Sequence, residues 1–190
     1  MEAFEQFVKV AMEAEGLVVT AGVKFPVTRK TKKLLHDEFQ THGYEVDLVG
    51  ARGDELVLAT VKSFFGSKGV TFSAVHDPAA QDSGAYRLLN DPVIREGVVH
   101  GAAERYGYDR TQVHLRLYVG KWARTRGTDN KAETKQWCSA QIVGAGPIEV
   151  FDVSDVVPEV KRVAASGTYI NDPVIVALKV LTAAELASCE

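Results

Sequence analysis

An aspartate and a lysine lie in two neighbouring apolar segments of the chain, YEVDLVG and ELVLATVKS. Side chains alternate along a β-strand, so Glu45, Asp47 and Val49 are expected to share one face of the first segment. Thr60 and Lys62 likewise share one face of the second segment. A carboxylate and a lysine that meet on paired strands can form a site for a divalent metal ion, which the carboxylate binds. The metal neutralises charge on a phosphate and lowers the pKa of a bound water, and the lysine steadies or deprotonates that water. The two segments therefore predict phosphodiester hydrolysis.

The elements that must position these residues can be predicted from local patterns. ARGD separates the two segments and contains the glycine and aspartate that tight turns favour, so the segments are expected to pair as an antiparallel hairpin. Ahead of them, residues 2–15 carry apolar side chains at three- and four-residue spacing. This spacing predicts an amphipathic helix that ends at Gly16.

Residues 17–43 connect this helix to the hairpin. LVVTAGVKFPV is β-branched but interrupted by glycine and proline, which predicts a strand or a short hairpin that leads into an irregular arm. Within the arm, Leu34, Leu35 and Phe39 favour a short helix.

Beyond the hairpin, residues 64–89 show no clean periodicity and are predicted to form a long loop. Asp91 and Pro92 are suited to begin a helix that runs to about Tyr106. VHLRLYVGKW has the period of a half-buried strand, and ARTRGTDNKAETK is predicted to be a polar, basic loop. WCSAQIV and IEVFDV are then predicted as strands, and DVVPEVKRVAAS and NDPVIVALKVLTAAELA as helices.

Composition limits the class of protein. The 190 residues, 46% hydrophobic and 25% charged, predict a single domain over 1–190, and the net charge of −3 gives no general cationic surface. Cys138 and Cys189 lie far apart without metal-ligand spacing, which argues against zinc and disulfides. No signal peptide or membrane-spanning stretch is apparent, so we expect a cytoplasmic protein that is not associated with a membrane.

With Asp47, Lys62 and this order of elements, the chain resembles the PD-(D/E)xK nuclease superfamily, which includes restriction endonucleases and Holliday-junction resolvases. The resemblance implies an α/β fold with a restriction-endonuclease-like core of helix, three strands, helix and strand over residues 2–121, followed by a C-terminal strand and helix extension over 136–190. It also implies that Asp47 binds Mg²⁺ or Mn²⁺ together with the main-chain carbonyl of Val61, and that Lys62 is the catalytic lysine. Phe4-Glu5 stands where many members carry a glutamate early in the first helix, which makes Glu5 a candidate catalytic residue.

Thr60 departs from the pattern of the superfamily, because a second carboxylate is expected at its position. A neutral hydroxyl is a poor ligand for a hard cation, so another acidic group would have to replace the missing carboxylate. Glu5 is one candidate and Glu45, on the same strand as Asp47, is another. Asp77, Asp82 and Glu96 are further candidates, from the following loop and helix.

Two basic segments flank the predicted site in the sequence. The nucleic-acid-binding candidates are Arg29, Lys30, Lys32 and Lys33 in the first segment, and Arg124 and Arg126 in the second. Such residues can grip a phosphate backbone without distinguishing bases, and Trp122 beside the second segment can stack on a base or fill the core. DNA is therefore the expected partner.

Three hypotheses remain open from the sequence. The first is a metal-dependent DNA phosphodiesterase with endonuclease-like activity. The second is a catalytically degenerate nuclease fold that binds nucleic acid or a protein. The third is an unrelated α+β domain with an incidental hairpin, which opposite faces for the Asp47 and Lys62 side chains would reveal. Nucleases that resemble this chain often act as homodimers, although no apolar stripe in the sequence marks an interface.

Overall fold

The computed structural model describes residues 2–30, 39–168 and 170–187. Over these residues the chain has an α/β architecture. The elements, in chain order, are α1 (Ala3–Ala14), β1 (Val18–Lys30), β2 (Phe39–Arg52), β3 (Glu55–Lys62), α2 (Phe72–His76), α3 (Arg87–Asn90), α4 (Pro92–Tyr106), β4 (Val113–Val119), α5 (Asn130–Ser139), β5 (Ile142–Val143), β6 (Gly146–Pro147), β7 (Glu149–Asp152), α6 (Val153–Ala164) and α7 (Pro173–Ala187).

Five of the strands form a mixed sheet in the order β1-β2-β3-β4-β7. The first three are antiparallel neighbours, whereas β3 pairs with β4, and β4 with β7, in parallel. Arg52 pairs with Glu55 beside the turn of the β2–β3 hairpin, and Leu48 pairs with Ala59 further along. The predicted hairpin is therefore confirmed, and it occupies the centre of the sheet.

A helix covers each face of this sheet. α1 buries Phe4 and Val8 in a cluster that includes Leu48 and Val57 from one face. On the other face, α4 begins as predicted, with the Asp91 carboxylate accepting hydrogen bonds from the backbone N–H groups of residues 93 and 94. A second cluster lies beneath α4 and includes Val46, Val49, Leu58, Ile94 and Val98. α1 and α4 thus pack on opposite faces of the same sheet.

Strict side-chain alternation fails in β2 beside Asp47. Val46 and Val49 lie in the same cluster although they are three residues apart, and Leu48 between them packs in the opposite cluster. Gly22 is the position of β1 opposite this break, and its φ of +66° is a conformation that glycine adopts without strain. The prediction that Glu45, Asp47 and Val49 share one face is therefore wrong.

Several predicted elements need correction. β1 continues without interruption to Lys30 and β2 begins at Phe39, so the residues predicted as the start and end of an irregular arm are strand. The short helix predicted around Leu34 and Leu35 lies outside the described residues. Pro26 is tolerated because β1 is an edge strand, where a missing N–H need not remove a ladder hydrogen bond.

The segment between β4 and β7 also differs from its prediction. The second half of the predicted polar loop belongs to α5, whose first turn is capped by the Asp129 carboxylate accepting from the N–H of Ala132 at 3.0 Å. Trp137 and Cys138, predicted in a strand, lie in this helix, and only Ile142–Val143 of that segment are strand. The strand predictions for β4 and β7 and the helix predictions for α6 and α7 are confirmed.

β4 is buried on both faces, not on one. Arg116 and Tyr118, which alternate with its predicted core residues, are 7% and 2% exposed. The Arg116 guanidinium donates to Glu15, beside the C-terminal end of α1, and to Glu149 of β7, both at 2.7 Å. This network fixes α1 on its face of the sheet and so helps to position the N-terminal end of the same helix.

The C-terminal helix α7 presents apolar side chains to solvent. Val180, Leu181 and Leu186 are 61%, 60% and 68% exposed. These exposed apolar residues had not been singled out from the sequence. None of the described helices has the length and apolar character needed to cross a membrane.

Candidate functional site

The hairpin brings the two predicted catalytic side chains to one point. Asp47 Oδ2 accepts hydrogen bonds from the Val61 N–H at 2.6 Å, from the Thr60 hydroxyl at 3.1 Å and from Lys62 Nζ at 3.5 Å. Their side chains are only 19% (Asp47) and 16% (Lys62) exposed, so solvent screens this pair weakly. Asp47 and Lys62 do not lie on opposite faces of the sheet, which is the arrangement that would have revealed the third hypothesis.

A cavity of about 510 Å³ opens beside this ion pair. Its lining includes Asp47 and Lys62 from the hairpin and Glu2 and Glu5 from the N-terminal end of α1. The Glu2 N–H donates to Oε2 of Glu5 at 2.9 Å, which orders this first helical turn. The structure therefore brings Glu5 to the same cavity as Asp47 and Lys62.

Glu2 is an acidic residue of this cavity that the sequence analysis missed. Its Oε2 accepts a hydrogen bond at 2.6 Å from the hydroxyl of Ser63, the residue that directly follows Lys62. The contact joins the start of α1 to the end of β3. The available signal was its position three residues before Glu5, the spacing of a helix-capping pair.

The other proposed replacement carboxylates lie elsewhere. Glu45 does not border the Asp47 cavity, and its carboxylate pairs with Lys24 of β1 at 3.6 Å. Asp82 pairs with Lys68 at 3.0 Å and Glu96 pairs with Arg110. Asp77 accepts from the N–H of Ala79 in its own turn. None of these four carboxylates is brought to the Asp47 cavity.

The first basic segment is described only in part. Arg29 lies on β1 and donates to Asp91 at 3.5 Å, beside a cavity of about 270 Å³ that Arg87 also lines. Lys30 is exposed at the end of β1. Lys32 and Lys33 lie outside the described residues.

The second basic segment lines a different cavity, of about 480 Å³. Arg124 and Arg126 are exposed there, and Trp122 and Lys131 form part of the same wall. Trp122 is partly buried against the main core, and its indole N–H donates to Asp152 at 3.0 Å. The indole is therefore anchored, and the two arginines are exposed cations at this cavity.

Asp152, which sequence reasoning did not single out, is the anchor of that wall. It is 2% exposed and accepts from Lys131 at 2.6 Å, and from the N–H and hydroxyl of Ser154 at 2.9 and 2.5 Å, in addition to Trp122. Burial by itself would raise the pKa of Asp152, but these hydrogen bonds outweigh burial and hold the pKa below its ordinary value. The carboxylate therefore stays ionised inside the protein.

The oxygen atoms around Asp47 have the chemical type that a hard cation prefers. The carboxylates of Asp47, Glu2 and Glu5 border one cavity, and carboxylate and carbonyl oxygens are the usual ligands of Mg²⁺. In their present positions, no three acidic, histidine or cysteine side chains of the described part of the chain are grouped closely enough to hold a metal ion. The donor set thus fits Mg²⁺ or Mn²⁺ in type, and binding would require the α1 carboxylates to approach Asp47.

Comparison with known proteins adds no assignment, because the chain matches no family model, no curated protein and no solved structure.

Proposed function

We propose that this protein is a metal-dependent DNA phosphodiesterase with a restriction-endonuclease-like core. The observation that carries the proposal is the contact between Asp47 and Lys62, 3.5 Å apart at a cavity that two further carboxylates border. The order α1, β1, β2, β3, α4 and β4, with the short helices α2 and α3 inserted before α4, supports the helix, three strands, helix and strand implied by the resemblance.

Each residue of the site has a distinct role in this proposal. Asp47 and the main-chain carbonyl of Val61 would hold Mg²⁺ or Mn²⁺, and Glu5 or Glu2 would supply the carboxylate that is missing at Thr60. When bound, the metal would neutralise charge on the scissile phosphate and lower the pKa of a water molecule. Lys62 would orient that water, since its ammonium group is already directed by Asp47.

One observation favours a second candidate, a nuclease fold that binds DNA or a protein without cutting DNA. Among the described residues, Asp47 receives its three hydrogen bonds on the same oxygen, Oδ2, and one of them comes from Thr60 in place of a second carboxylate. A carboxylate that accepts hydrogen bonds from protein groups can have a purely structural role and stabilise the pairing of β2 with β3. In this case Lys62 is its ion-pair partner and has no chemical role.

Cleavage of supercoiled, linear and single-stranded DNA in Mg²⁺ or Mn²⁺ separates the two candidates. We expect cleavage by the wild type and at least a hundredfold loss in Asp47→Ala and Lys62→Ala, because each removes a group that acts on the reacting atoms. Asp54→Ala and Lys24→Ala are matched controls, since both residues are exposed on β1 or the hairpin turn and neither borders the cavity. Cleavage that persists in Asp47→Ala would refute the proposal.

Thr60→Glu provides a reciprocal test of the second candidate. The substitution introduces the carboxylate that the resemblance implies, next to Asp47. If the wild type binds DNA without cleaving it and Thr60→Glu gains metal-dependent cleavage, the natural protein is the binding module. If the wild type cleaves and Glu5→Gln or Glu2→Gln abolishes cleavage, α1 supplies the missing ligand.

A further inference from the structure

A larger cavity, of about 670 Å³, lies next to the Asp47 cavity. Phe64, Ser67 and Ala85 line both cavities, so the two spaces share one wall. The volume falls in the range of pockets that take small organic groups. A ligand bound across the wall would have one part beside Lys62 and another in the larger cavity.

Tyr86 supplies an unpaired polar group at this cavity. The residue is 3% exposed and borders the cavity, and its hydroxyl is not among the fully buried side-chain atoms that lack a partner within the described residues. No hydrogen bond from a described residue occupies this hydroxyl, and its oxygen is not fully enclosed by protein, so it can donate to a molecule in the cavity. Burial, and to a lesser extent the charge of Asp82, raises the pKa of Tyr86, so the hydroxyl remains a neutral donor at physiological pH.

The walls of the cavity are fixed by backbone contacts to β4 and its continuation. The Val70 N–H donates to the Lys121 carbonyl and the Ala123 N–H donates to the Val70 carbonyl, both at 2.9 Å. Gly69, with a φ of +96°, lies so close that a Cβ atom there would be 2.8 Å from this backbone. On the opposite wall, the amide of Asn90 donates to two carbonyls of the α2–α3 segment at 3.1 Å each. The cavity is therefore formed before any ligand enters.

Phe64 and Tyr86 give this cavity an aromatic surface. Their ring centroids are 6.4 Å apart with planes inclined by 38°, so they pack as one continuous wall. Phe64 adopts a φ of +46°, which is unusual for a bulky side chain. Backbone strain of this kind persists only where the surrounding structure stabilises the strained conformation. In this conformation the Phe64 ring borders both cavities.

We propose that this cavity binds one nucleobase of a nucleic-acid strand whose phosphate lies beside Asp47 and Lys62, an inference that rests on the proposed function. The partly exposed Phe64 ring provides a stacking surface for a planar base, and the Tyr86 hydroxyl can donate to an acceptor on the edge of the base. An anionic ligand is disfavoured because Lys68, the cation of this wall, is paired with Asp82 at 3.0 Å. The base must be unpaired to enter, so the substrate is single-stranded DNA or a duplex with an extruded base.

The experiment measures base entry without cleavage. A single-stranded oligonucleotide that contains 2-aminopurine is titrated with the protein in EDTA, and base entry is followed by the change in 2-aminopurine fluorescence. We expect a saturable change with the wild type, about three- to tenfold weaker binding with Tyr86→Phe, and about tenfold or greater weakening with Phe64→Leu. A fully paired duplex of the same sequence should bind more weakly than the single strand.

Tyr108→Phe is the matched control. The Tyr108 hydroxyl donates to the Arg52 carbonyl at 2.7 Å, by the hairpin turn and away from the cavity. We expect Tyr108→Phe to lower the urea midpoint and to leave base binding intact. Tyr86→Phe should weaken base binding and leave the urea midpoint unchanged. Wild-type protein that gives no fluorescence change, or equal affinities for wild type and Tyr86→Phe, would overturn the proposal. Base binding without metal-dependent cleavage would instead refute only the phosphodiesterase.

Discussion

Replacing Asp152 by asparagine should destabilise the protein substantially, because the side chain is buried and accepts from four donor groups. Asparagine keeps one oxygen acceptor, which can serve Ser154. The indole N–H of Trp122 then loses its acceptor, at a cost of about 1–3 kcal/mol. The pair with Lys131, whose side chain is 43% exposed, contributes about 1 kcal/mol because solvent screens it. The expected loss at pH 7 is about 3 kcal/mol.

The pH dependence of this loss follows from the depressed pKa of Asp152. In the unfolded chain an aspartate titrates near pH 3.9, whereas in the folded protein the pKa is lower. A depressed pKa contributes stability that is fully present above the unfolded value and is lost as the pH falls through the folded value. Asparagine does not titrate, so the difference between wild type and Asp152→Asn should be full at pH 7 and smaller at pH 3.

Urea unfolding followed by far-ultraviolet circular dichroism at both pH values measures this difference. Asp129→Asn is the control, because Asp129 caps α5 and asparagine caps a helix equally well. Its unfolding free energy should change by no more than about 0.5 kcal/mol. A loss below about 1 kcal/mol in Asp152→Asn at pH 7, or a loss that is the same at pH 3, would refute the reasoning.

Three further outcomes are expected. Burial raises the pKa of the Cys138 thiol to about 12. In a Cys189→Ser variant, which leaves Cys138 as the one thiol, a chromogenic disulfide reagent should therefore not react at pH 8 until urea is added. Rapid labelling of the native variant would contradict the burial of Cys138. Asp91 and Asp172 cap α4 and α7 within identical NDPVI sequences, but α4 packs in the core while α7 is largely exposed. Asp91→Ala should therefore cost about 1–2 kcal/mol in thermal unfolding and Asp172→Ala less, and equal losses would argue against this difference in packing. If Arg124 and Arg126 contact DNA phosphates, replacing both by alanine should reduce the salt slope of DNA binding by about 2. Arg162→Ala is the control, because it removes an exposed side chain of α6 and should leave the slope unchanged.

The sequence was most informative where its signal is local. The hairpin, α1 and α4 follow from alternation, helical spacing and a capping residue, and each of these patterns lies within one short segment. The meeting of Asp47 with Lys62 follows from the hairpin, because the register that pairs Leu48 with Ala59 makes Lys62 a diagonal cross-strand neighbour of Asp47, within reach of a long side chain. The position of Glu45 could not be inferred, since the break in alternation beside Asp47 involves Gly22 on another strand.

α5 illustrates a different limit of sequence-based prediction. The buried side of this helix consists of Asn130, Thr134 and Cys138, at four-residue spacing. Two of these residues are polar, so the usual apolar period of a helix is absent. Asn130 is buried because its amide donates to the Ala123 carbonyl at 2.8 Å and its oxygen accepts from the Phe72 N–H at 2.8 Å. The cavity beside Tyr86 could not be predicted from the sequence either, because its walls come from segments without periodicity.

The parallel pairing of β3 with β4 also has a consequence for the order of folding. Hairpin formation joins Leu48 to Ala59 across a short turn, whereas the parallel ladder joins Val57 to His114 and must close a much longer loop. Local hairpins form within microseconds, and long-range parallel pairing is intrinsically slower. Asp47 and Lys62 can therefore meet early, while the wall that depends on Lys121 and Ala123 is completed only after β4 has docked.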